Sequence, residues 1–329
     1  MKKICITSSS YVLLIYILLN NKDFKETLYI TGENLIKNKE VKNIKILKIS
    51  IFPNIINRVI NYVYFSILLK GKQKYVVYGQ DHLSASNFFV EKYEFRVIED
   101  GLSFHNDYIT RLKKNFSDEN RIKRFVRKLL KINYHHALDE RIKKIYVSNL
   151  DTLSKEYSRK KIECFNINEL WKDIGNSKKE EIKNFFNIDD DELHQTSYKD
   201  THILLLTQPL SEDGYITERE KINIYSKIIK DNYKNILIKP HPRELTNYQN
   251  YFKNIILLDK DIPIELYSLL GMKFYKVVSL FSTSVFNSFC FFSSFALQIE
   301  SSKEKVVFLN FFRYAFFCFS FNSANRDST

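Results

Sequence analysis

The chain has 329 residues, of which 44% are hydrophobic and 27% are charged. This composition excludes a disordered chain and suggests one large or two medium domains, because a single core rarely grows beyond about 250–300 residues. The formal net charge of +13 favours an anionic partner, such as nucleic acid, acidic lipid or a phosphorylated substrate.

The cysteines and the N-terminus both predict a cytoplasmic protein. The four cysteines form no Cys-x-x-Cys pair, which argues against a zinc ribbon or a disulfide framework and is typical of a reducing compartment. The N-terminus imitates a signal peptide, but residues 7–10 interrupt the apolar run and no small-residue cleavage site follows. No run of 18 uninterrupted apolar residues occurs, so we expect no transmembrane helix.

Strand-like and helical runs alternate through the first half of the chain. Strands are predicted at residues 3–7, 27–31, 45–52, 74–79 and 94–100, and helices at residues 10–20 and 52–71. Strands that alternate with helices predict βαβ units and a mostly parallel sheet.

Residues 111–144 differ from their surroundings in charge. Twelve Lys or Arg residues occur there against four Asp or Glu, on a spacing that is compatible with a helix. This segment is either a solvated basic helix or a surface that contacts anionic lipid. Peripheral contact with the inner face of the cytoplasmic membrane therefore stays open as an alternative.

A polar stretch at residues 174–200 is interpreted as a connector, which predicts a domain boundary near residue 190. The boundary separates an N-terminal domain, residues 1–190, from a C-terminal domain, residues 191–329. The acidic run at 189–192 falls in the connector and is interpreted as linker, not as a metal site. Beyond it, strands are predicted at 201–208, 234–239 and 274–284, and helices at 217–233 and 262–271.

Residues that could take part in binding or catalysis are concentrated where predicted strands end. The chain has seven glycines and no Gly-x-Gly-x-x-Gly or P-loop pattern, which excludes the classical dinucleotide and Walker sites. Three of these glycines follow strands beside charged residues, in YGQDH (78–82), IEDGL (98–102) and SEDGY (211–215). Open α/β sheets bind ligands outside the carboxyl ends of their strands, so these loops are candidate sites. An ordinary turn is the alternative interpretation of the two Glu-Asp-Gly loops.

The sequence around His241 is the most distinctive of these strand ends. Two of the five prolines flank it, and we expect Pro240 and Pro242 to hold the backbone around it in a stiff extended form. Lys239 and Arg243 alternate with His241, and either cation suits an anionic ligand.

Two further groups are expected beside His241. Right-handed crossovers bring the ends of successive parallel strands to one edge of a sheet. The hydroxyls of residues 282–284 would then lie near His241 and suit phosphate oxygens, although a helix N-cap is the alternative interpretation. Asp213 or Glu212 would lie near enough to accept a proton. The second half therefore predicts a site for a phosphate leaving group.

The motifs YGQDH, VIEDGLS, LLLTQPLSEDG, IKPHPRE and LFSTS occur in an order that resembles glycosyltransferase family 52, the bacterial sialyltransferases of lipooligosaccharide and capsule synthesis. The resemblance extends from about residue 3 to residue 286, and the Phe-rich sequence beyond it shows no family feature. It implies a GT-B-like α/β fold of two Rossmann-like domains with mostly parallel sheets. The N-terminal domain would then face the acceptor, and the C-terminal domain would bind the nucleotide sugar.

The resemblance also implies the reaction and its residues. Sialic acid would pass from CMP-sialic acid to a galactose-type hydroxyl with inversion, without a cofactor or an obligatory metal. Asp213 would be the general base, with Glu212 as the next candidate and Asp100 as a rival, and His241 would help the CMP phosphate leave. The donor- and phosphate-binding set comprises Gln208, Lys239, Pro242, Arg243, Ser282, Thr283 and Ser284, and the acceptor-side set comprises Glu99, Gly101, Asp81 and His82.

Two other functions stay open at this point. A glycosyltransferase of the same architecture that uses a UDP-hexose would need a similar phosphate site. A non-enzymatic protein that binds a membrane surface or nucleic acid would use the positive charge, but no aromatic stacking platform of the RNA-binding kind is present, so no nucleic-acid partner is expected. A homodimer is compatible with the sequence.

Overall fold

The chain divides into two compact units. A computed structural model describes residues 2–32, 35–38, 41, 44–46, 54–71, 74–101, 104, 109–110, 112–114, 121, 125, 136–151, 153–188, 193, 203–230, 236–274 and 276–280. The first unit comprises Met1–Gln195 with Asp261–Leu270, and the second comprises Thr196–Lys260 with Gly271–Thr329. A short segment that follows the predicted boundary in sequence, Asp261–Leu270, thus belongs to the first unit.

The first unit contains a parallel sheet, which has seven strands among the described residues. Its strands are β1 (Lys2–Thr7), β2 (Leu28–Thr31), β3 (Ile44–Ile46), β4 (Tyr75–Gly79), β5 (Glu94–Ile98), β6 (Lys144–Val147) and β7 (Lys161–Cys164). They lie in the order β3-β2-β1-β4-β5-β6-β7. The prediction of a parallel sheet is therefore confirmed. The pattern missed β6 and β7, because β6 begins inside the basic segment 111–144 and half of β7 is charged, at Lys161 and Glu163.

Five helices of the first unit are described before residue 190: α1 (Ser10–Leu19), α2 (Asn54–Leu68), α3 (Ser86–Lys92), α4 (Ile167–Lys172) and α5 (Asn176–Phe185). Helix α1 is apolar on every side and is buried from Val12 to Leu18, as expected for a helix inside a domain. The prediction that 174–200 is only a connector is wrong at α5. Ile182 and Phe185 of that helix are buried, while its many lysines and glutamates had concealed this apolar face.

Gly79 fixes the close approach of β4 to β1. A Cβ atom at this position would lie 2.0 Å from the main-chain oxygen of Ile6, and the residue has a φ of +129°. Glycine avoids the clash, and the next residue, Gln80, donates its main-chain N–H to that oxygen over 2.9 Å. This contact places Gln80 at the carboxyl end of β1.

The second unit contains a parallel sheet with four described strands in the order β10-β9-β8-β11. Its elements are β8 (Ile203–Leu206), α6 (Glu218–Lys230), β9 (Ile236–Lys239), β10 (Ile255–Leu257) and β11 (Lys276–Ser279), and the helix α7 (Ile264–Leu269) lies in the segment that joins the first unit. Tyr225 of α6 packs with Tyr248 and the strands in a buried core. The predicted strands and helices of this half are confirmed, whereas β10 was missed.

Three predicted features lie outside the described residues. They are most of the basic segment 111–144, the acidic run 189–192 and the hydroxyls of Ser282, Thr283 and Ser284. Within the part of the chain that the structure describes, no helix is both long enough and apolar enough to cross a bilayer.

Candidate active site

The loops after β8 and β9 begin at the same edge of the second sheet. Leu206, the last residue of β8, is paired with Lys239, the last residue of β9, and also with Ser279, the last residue of β11. Because both pairings are parallel, the three strands end together. The predicted common edge is confirmed for these strand ends, although the Ser-Thr-Ser run beyond β11 lies outside the described residues.

The Pro-His-Pro segment forms a turn. The main-chain N–H of Glu244 donates to the main-chain oxygen of His241 over 2.9 Å, so residues 241–244 close a tight turn with Pro242 in its second position. Proline is favoured at that position because its fixed φ matches the turn. The predicted stiff extended backbone is therefore wrong beyond His241. Pro242 instead directs the chain back towards the sheet.

His241 presents a neutral imidazole. Its Nδ1 atom accepts the main-chain N–H of Arg243 over 3.2 Å. Burial and the positive charges of Arg243 and Lys239 lower the pKa of His241 to about 4, against the opposing effect of Asp213 and Glu212. At neutral pH the ring is therefore uncharged and carries its proton on Nε2, where it can donate one hydrogen bond.

Asp213 and Arg243 join the loops after β8 and β9. The two nitrogens Nη1 and Nη2 of Arg243 bind the two carboxylate oxygens of Asp213, with 3.1 Å between Nη2 and Oδ2. The Arg243 side chain is 61% exposed, so the guanidinium is open to a ligand from solvent. A bidentate pair of this kind orients both groups.

The side chain of Glu212 points away from Arg243 and is hydrogen-bonded within the protein. Its carboxylate accepts hydrogen bonds from Lys221 Nζ at 2.9 and 3.0 Å and from the main-chain N–H of Leu245 at 2.7 Å. Burial raises the pKa of Glu212, but the Leu245 N–H and the Lys221 ammonium outweigh it and lower the pKa to about 2. Lys221 is fully buried. Glu212 is thus a structural anion and a poor proton acceptor.

Glu244 connects the elements around His241, and sequence reasoning did not assign it a role. Its buried carboxylate accepts the main-chain N–H of His241 over 2.7 Å and the hydroxyls of Thr207 and Tyr248 over 2.5 and 2.6 Å. Lys221 Nζ lies 3.5 Å from the same carboxylate. Its position at the end of the KPHPRE motif could have indicated this role. A carboxylate so close to a buried strand needs hydrogen-bond partners.

The remaining predicted donor residues support the loops. The ammonium of Lys239 is buried and donates to the main-chain oxygens of Lys260, over 2.8 Å, and Pro240, over 3.3 Å. Gln208 donates its main-chain N–H to the Tyr225 hydroxyl over 2.8 Å. The side chain of Lys239 therefore holds the base of the His241 loop and is directed at main-chain atoms.

In the first unit, the loops after β1, β4 and β5 also meet at one edge. Gln80 binds both neighbours: its Oε1 accepts the main-chain N–H of Ser8 over 2.7 Å, and its Nε2 donates to Asp100 Oδ2 over 2.6 Å. The Ser9 hydroxyl donates to the other carboxylate oxygen of Asp100 over 3.0 Å. Gln80 and Ser9, to which no role had been assigned, thus orient the predicted Asp100.

Asp100 and His82 affect each other electrostatically. Burial raises the pKa of Asp100, while the Ser9 hydroxyl, His82 and Gln80 pull it down. Burial also lowers the pKa of His82, with Asp100 opposing and Arg58 assisting. The ring of His82 stacks on His136 with 5.1 Å between the centroids. The pKa of Asp100 in this cluster is therefore set by burial, which raises it, and by its polar neighbours, which lower it.

Asp81, Glu99 and Gly101 shape the loops around this cluster. Asp81 accepts the main-chain N–H groups of His136 and Ala137 over 2.9 and 2.7 Å, and Glu99 accepts that of Ser148 over 2.8 Å. Burial raises the pKa of both carboxyls to about 7. Gly101 has a φ of +57°, in the left-handed region that glycine tolerates. Asp81 and Glu99 thus bind main-chain groups.

Among the residues that the structure describes, no group of three or more His, Cys, Asp or Glu side chains is arranged to hold a metal ion.

Comparison with solved structures identifies the fold. The 2,6-sialyltransferase of Photobacterium sp. JT-ISH-224, in a ternary complex with donor product CMP and acceptor substrate lactose, has a TM-score of 0.56 at 12% identity, over 93% of this chain and 74% of that chain. For the α/β-galactoside α-2,3-sialyltransferase of Photobacterium phosphoreum the TM-score is 0.53 at 13% identity, over 94% of each chain. The UDP-GlcNAc 2-epimerase of Methanocaldococcus jannaschii, with UDP-GlcNAc and UDP, also has a TM-score of 0.53 at 13% identity, over 93% of this chain and 86% of that chain. These likenesses confirm the predicted GT-B-like fold of two Rossmann-like domains.

Sequence comparison identifies the family. The model of glycosyltransferase family 52 matches residues 16–299. A protein of Haemophilus influenzae (strain Rd), described only as uncharacterized, is 34% identical over 299 residues, which cover 87% of this chain and 91% of that protein. Because both matches extend over most of the chain, this protein belongs to glycosyltransferase family 52 and is a glycosyltransferase.

Proposed function

We propose that this protein is an inverting sialyltransferase that transfers sialic acid from CMP-Neu5Ac to a galactose-type hydroxyl of a bacterial surface glycan, either lipooligosaccharide or capsule. Membership of family 52 and the fold shared with two sialyltransferases support the proposal. The observation that carries it is the pairing of a neutral His241 with an outward-facing Arg243 at one edge of the second sheet.

The leaving group determines what these two residues do. As the bond from the sugar to CMP breaks, the electron pair stays on the phosphate oxygen, and negative charge grows there. The Nε2–H of His241 and the guanidinium of Arg243 donate hydrogen bonds to that phosphate, which stabilises the developing charge. Ser282, Thr283 and Ser284 are proposed to bind the same phosphate. With these donors in place, we propose that no metal is obligatory.

Asp213 is the proposed general base. The acceptor hydroxyl must lose its proton as its oxygen attacks the anomeric carbon from the face opposite the phosphate, which inverts the configuration. Asp213 is partly exposed and Arg243 keeps it oriented, whereas neighbouring Glu212 is saturated by Lys221 and Leu245. Asp100 is the rival base, since burial raises its pKa towards working pH.

The remaining predicted residues have supporting roles in this proposal. Asp81, His82, Glu99 and Gly101 shape the loops of the first unit, which we assign to the acceptor side. A cytoplasmic location fits the free thiols of Cys5 and Cys164.

The proposal is tested with purified full-length protein and a panel of donors. CMP-Neu5Ac, UDP-Glc and UDP-Gal are each supplied with lactose and related acceptors, and nucleotide release and glycan product are measured. Release of CMP with a sialylated product of inverted anomeric configuration is expected. Sugar transfer from a UDP-hexose alone would overturn the proposal in favour of a different glycosyltransferase.

A further inference from the structure

The residues that follow β4 connect Asp100 to a second histidine, His136. Gln80 donates its side-chain N–H to Asp100 over 2.6 Å. His82 stacks on His136 with 5.1 Å between the ring centroids and 22° between the ring planes. Both histidines are half-buried, so a ligand can reach them from solvent. In the sequence, His136 lies within the basic segment 111–144, which gives no indication of such a place.

His136 has a backbone conformation that residues other than glycine rarely adopt. Its φ is +52°, and that of the next residue, Ala137, is +56°. Left-handed backbone at such residues is strained and persists only where surrounding contacts hold it. Strain of this kind is concentrated at ligand-binding and catalytic sites, so the pair is a candidate for one.

Asp81 supplies the contacts that hold the strained pair. Its Oδ1 atom accepts the main-chain N–H of His136 over 2.9 Å, and its Oδ2 atom accepts that of Ala137 over 2.7 Å. The Tyr157 hydroxyl donates to the main-chain oxygen of His136 over 2.7 Å. Asp81 and Tyr157 are both buried, so these contacts are anchored in the core. The main chain of His136 is thus fixed on both sides, which orients its ring against His82.

The two stacked rings are suited to bind hydroxyl groups. Burial and the neighbouring His82 ring lower the pKa of His136 to about 3, and burial lowers the pKa of His82 against the opposing effect of Asp100. A neutral imidazole has one donor and one acceptor nitrogen, which matches a hydroxyl group that both donates and accepts. Because the rings carry no positive charge and a carboxylate lies beside them, an uncharged sugar fits this edge better than a phosphate does.

We propose that His136 is an acceptor-binding residue, which together with His82 binds the hydroxyls of an uncharged terminal sugar of the acceptor glycan. Asp81 is its positioning residue, because it holds the backbone that directs the ring. This inference rests on the proposed transferase function and adds two roles to the acceptor side of that site.

The first test measures glycan binding apart from turnover. Full-length wild type and His136→Ala are titrated with lactose in the presence of CMP, and binding is followed by saturation-transfer difference NMR. The wild type should bind lactose, and the variant should bind it at least about fivefold more weakly, because hydrogen bonds to the sugar are lost. Equal affinity in both proteins would overturn the proposal, as would a wild type that does not bind lactose.

A kinetic ratio separates glycan binding from a general loss of structure. Water and lactose compete as acceptors for the sugar of CMP-Neu5Ac, so the ratio of transfer to hydrolysis at a fixed low lactose concentration should fall at least about fivefold in His136→Ala. An unchanged ratio would show that His136 only supports the fold. A wild type that releases no CMP would contradict the proposed function, while the NMR titration would still decide the role of His136.

The positioning role of Asp81 is tested by rescue. Asparagine offers one acceptor oxygen for the two N–H groups, so Asp81→Asn should weaken lactose binding as His136→Ala does. Glycine adopts left-handed backbone without strain, so Asp81→Asn/Ala137→Gly should recover most of the lost affinity. The matched control His136→Ala/Ala137→Gly should recover none. If glycine restored neither or both double variants, Asp81 would not act through His136.

Discussion

The imidazole of His241 carries its proton on Nε2 because Nδ1 already accepts the main-chain N–H of Arg243. Since the pKa of His241 is lowered to about 4, the ring stays neutral across the physiological range. A neutral ring is a weak proton donor but a competent hydrogen-bond donor. We therefore assign His241 to stabilise the leaving phosphate by hydrogen bonding, without proton transfer.

Two substitutions of His241 separate hydrogen bonding from acid catalysis. His241→Ala removes the donor, so turnover of CMP-Neu5Ac should fall about 10²–10³-fold. His241→Gln carries an amide N–H near the position of imidazole Nε2 and should keep at least about a tenth of wild-type turnover. The measurement is the rate of CMP release at saturating donor. Equal loss in both variants would contradict the hydrogen-bonding role.

The adjacent acids Glu212 and Asp213 are expected to respond differently to loss of charge. Asp213→Asn should lower turnover by about 10²–10⁴-fold with little change in unfolding temperature, because exposed ion pairs contribute little stability. Glu212→Gln should lower the unfolding temperature, because buried Lys221 loses its nearest counter-charge. Thermal unfolding and kcat/KM are measured on both variants. A fully active Asp213→Asn would transfer the base to Asp100.

At the scale of elements, the loops after β8 and β9 are held together by the buried side chains of Glu244 and Lys221. The carboxylate of Glu244 binds Thr207 beyond β8, the His241 N–H beyond β9, and Tyr248 in the following 3₁₀ turn. Lys221 on α6 contacts both Glu244 and Glu212. His241, which lies on a loop, is thus positioned by a buried network of charged side chains. This network connects β8, β9 and α6.

The approach of β4 to β1 gives a test at this scale. Gly79→Ala would place a methyl group against the Ile6 carbonyl and force an alanine into positive φ, so the free energy of unfolding should fall by at least about 2 kcal/mol. Gly32→Ala is the matched control, because no atom lies within 4 Å of the Cβ that it would add. Denaturant unfolding measures both. Similar stability of the two variants would show that β1 and β4 are not packed as described.

At the scale of the molecule, buried charges give each unit its own response to pH. Burial raises the pKa of Asp81 and Glu99 to about 7 in the first unit, whereas contacts in the second unit lower the pKa of Glu212 to about 2. A carboxyl with a raised pKa stabilises the fold below its ordinary pKa and loses that contribution as the pH rises through 7. A carboxyl with a lowered pKa stabilises above its ordinary pKa and loses that contribution as the pH falls towards 2.

Glu99 allows this linkage to be measured. The folded state holds its proton between pH 4.5 and about 7, so wild-type stability should fall relative to Glu99→Gln over that range, by at most about 1.4 kcal/mol per pH unit. Comparing the two proteins cancels His82 and His136, whose lowered pKa values act in the opposite direction. Unfolding temperatures at pH 5 and pH 8 provide the comparison. If the stability of Glu99→Gln fell as much as that of the wild type between the two pH values, the prediction would be wrong.

The sequence by itself determined the parallel α/β class, the eight predicted strands and the loops that carry Asp100, Asp213 and His241. These features depend on local periodicity and on glycine and proline, which act within a few residues. It did not reveal β6, which begins inside the basic segment 111–144, β7, half of which is charged, or α5, whose apolar positions are few.

Only the tertiary structure decided which of the two neighbouring acids, Glu212 and Asp213, faces outward and is free of buried partners. Glu212 turns inward to Lys221 and Leu245, and Asp213 turns outward to Arg243, although the two residues are adjacent in sequence. Their partners lie 9 to 33 residues away, on other elements. No local pattern carries that information, because the electrostatic environment of a carboxylate is set by whichever charges the folded chain brings within a few ångströms.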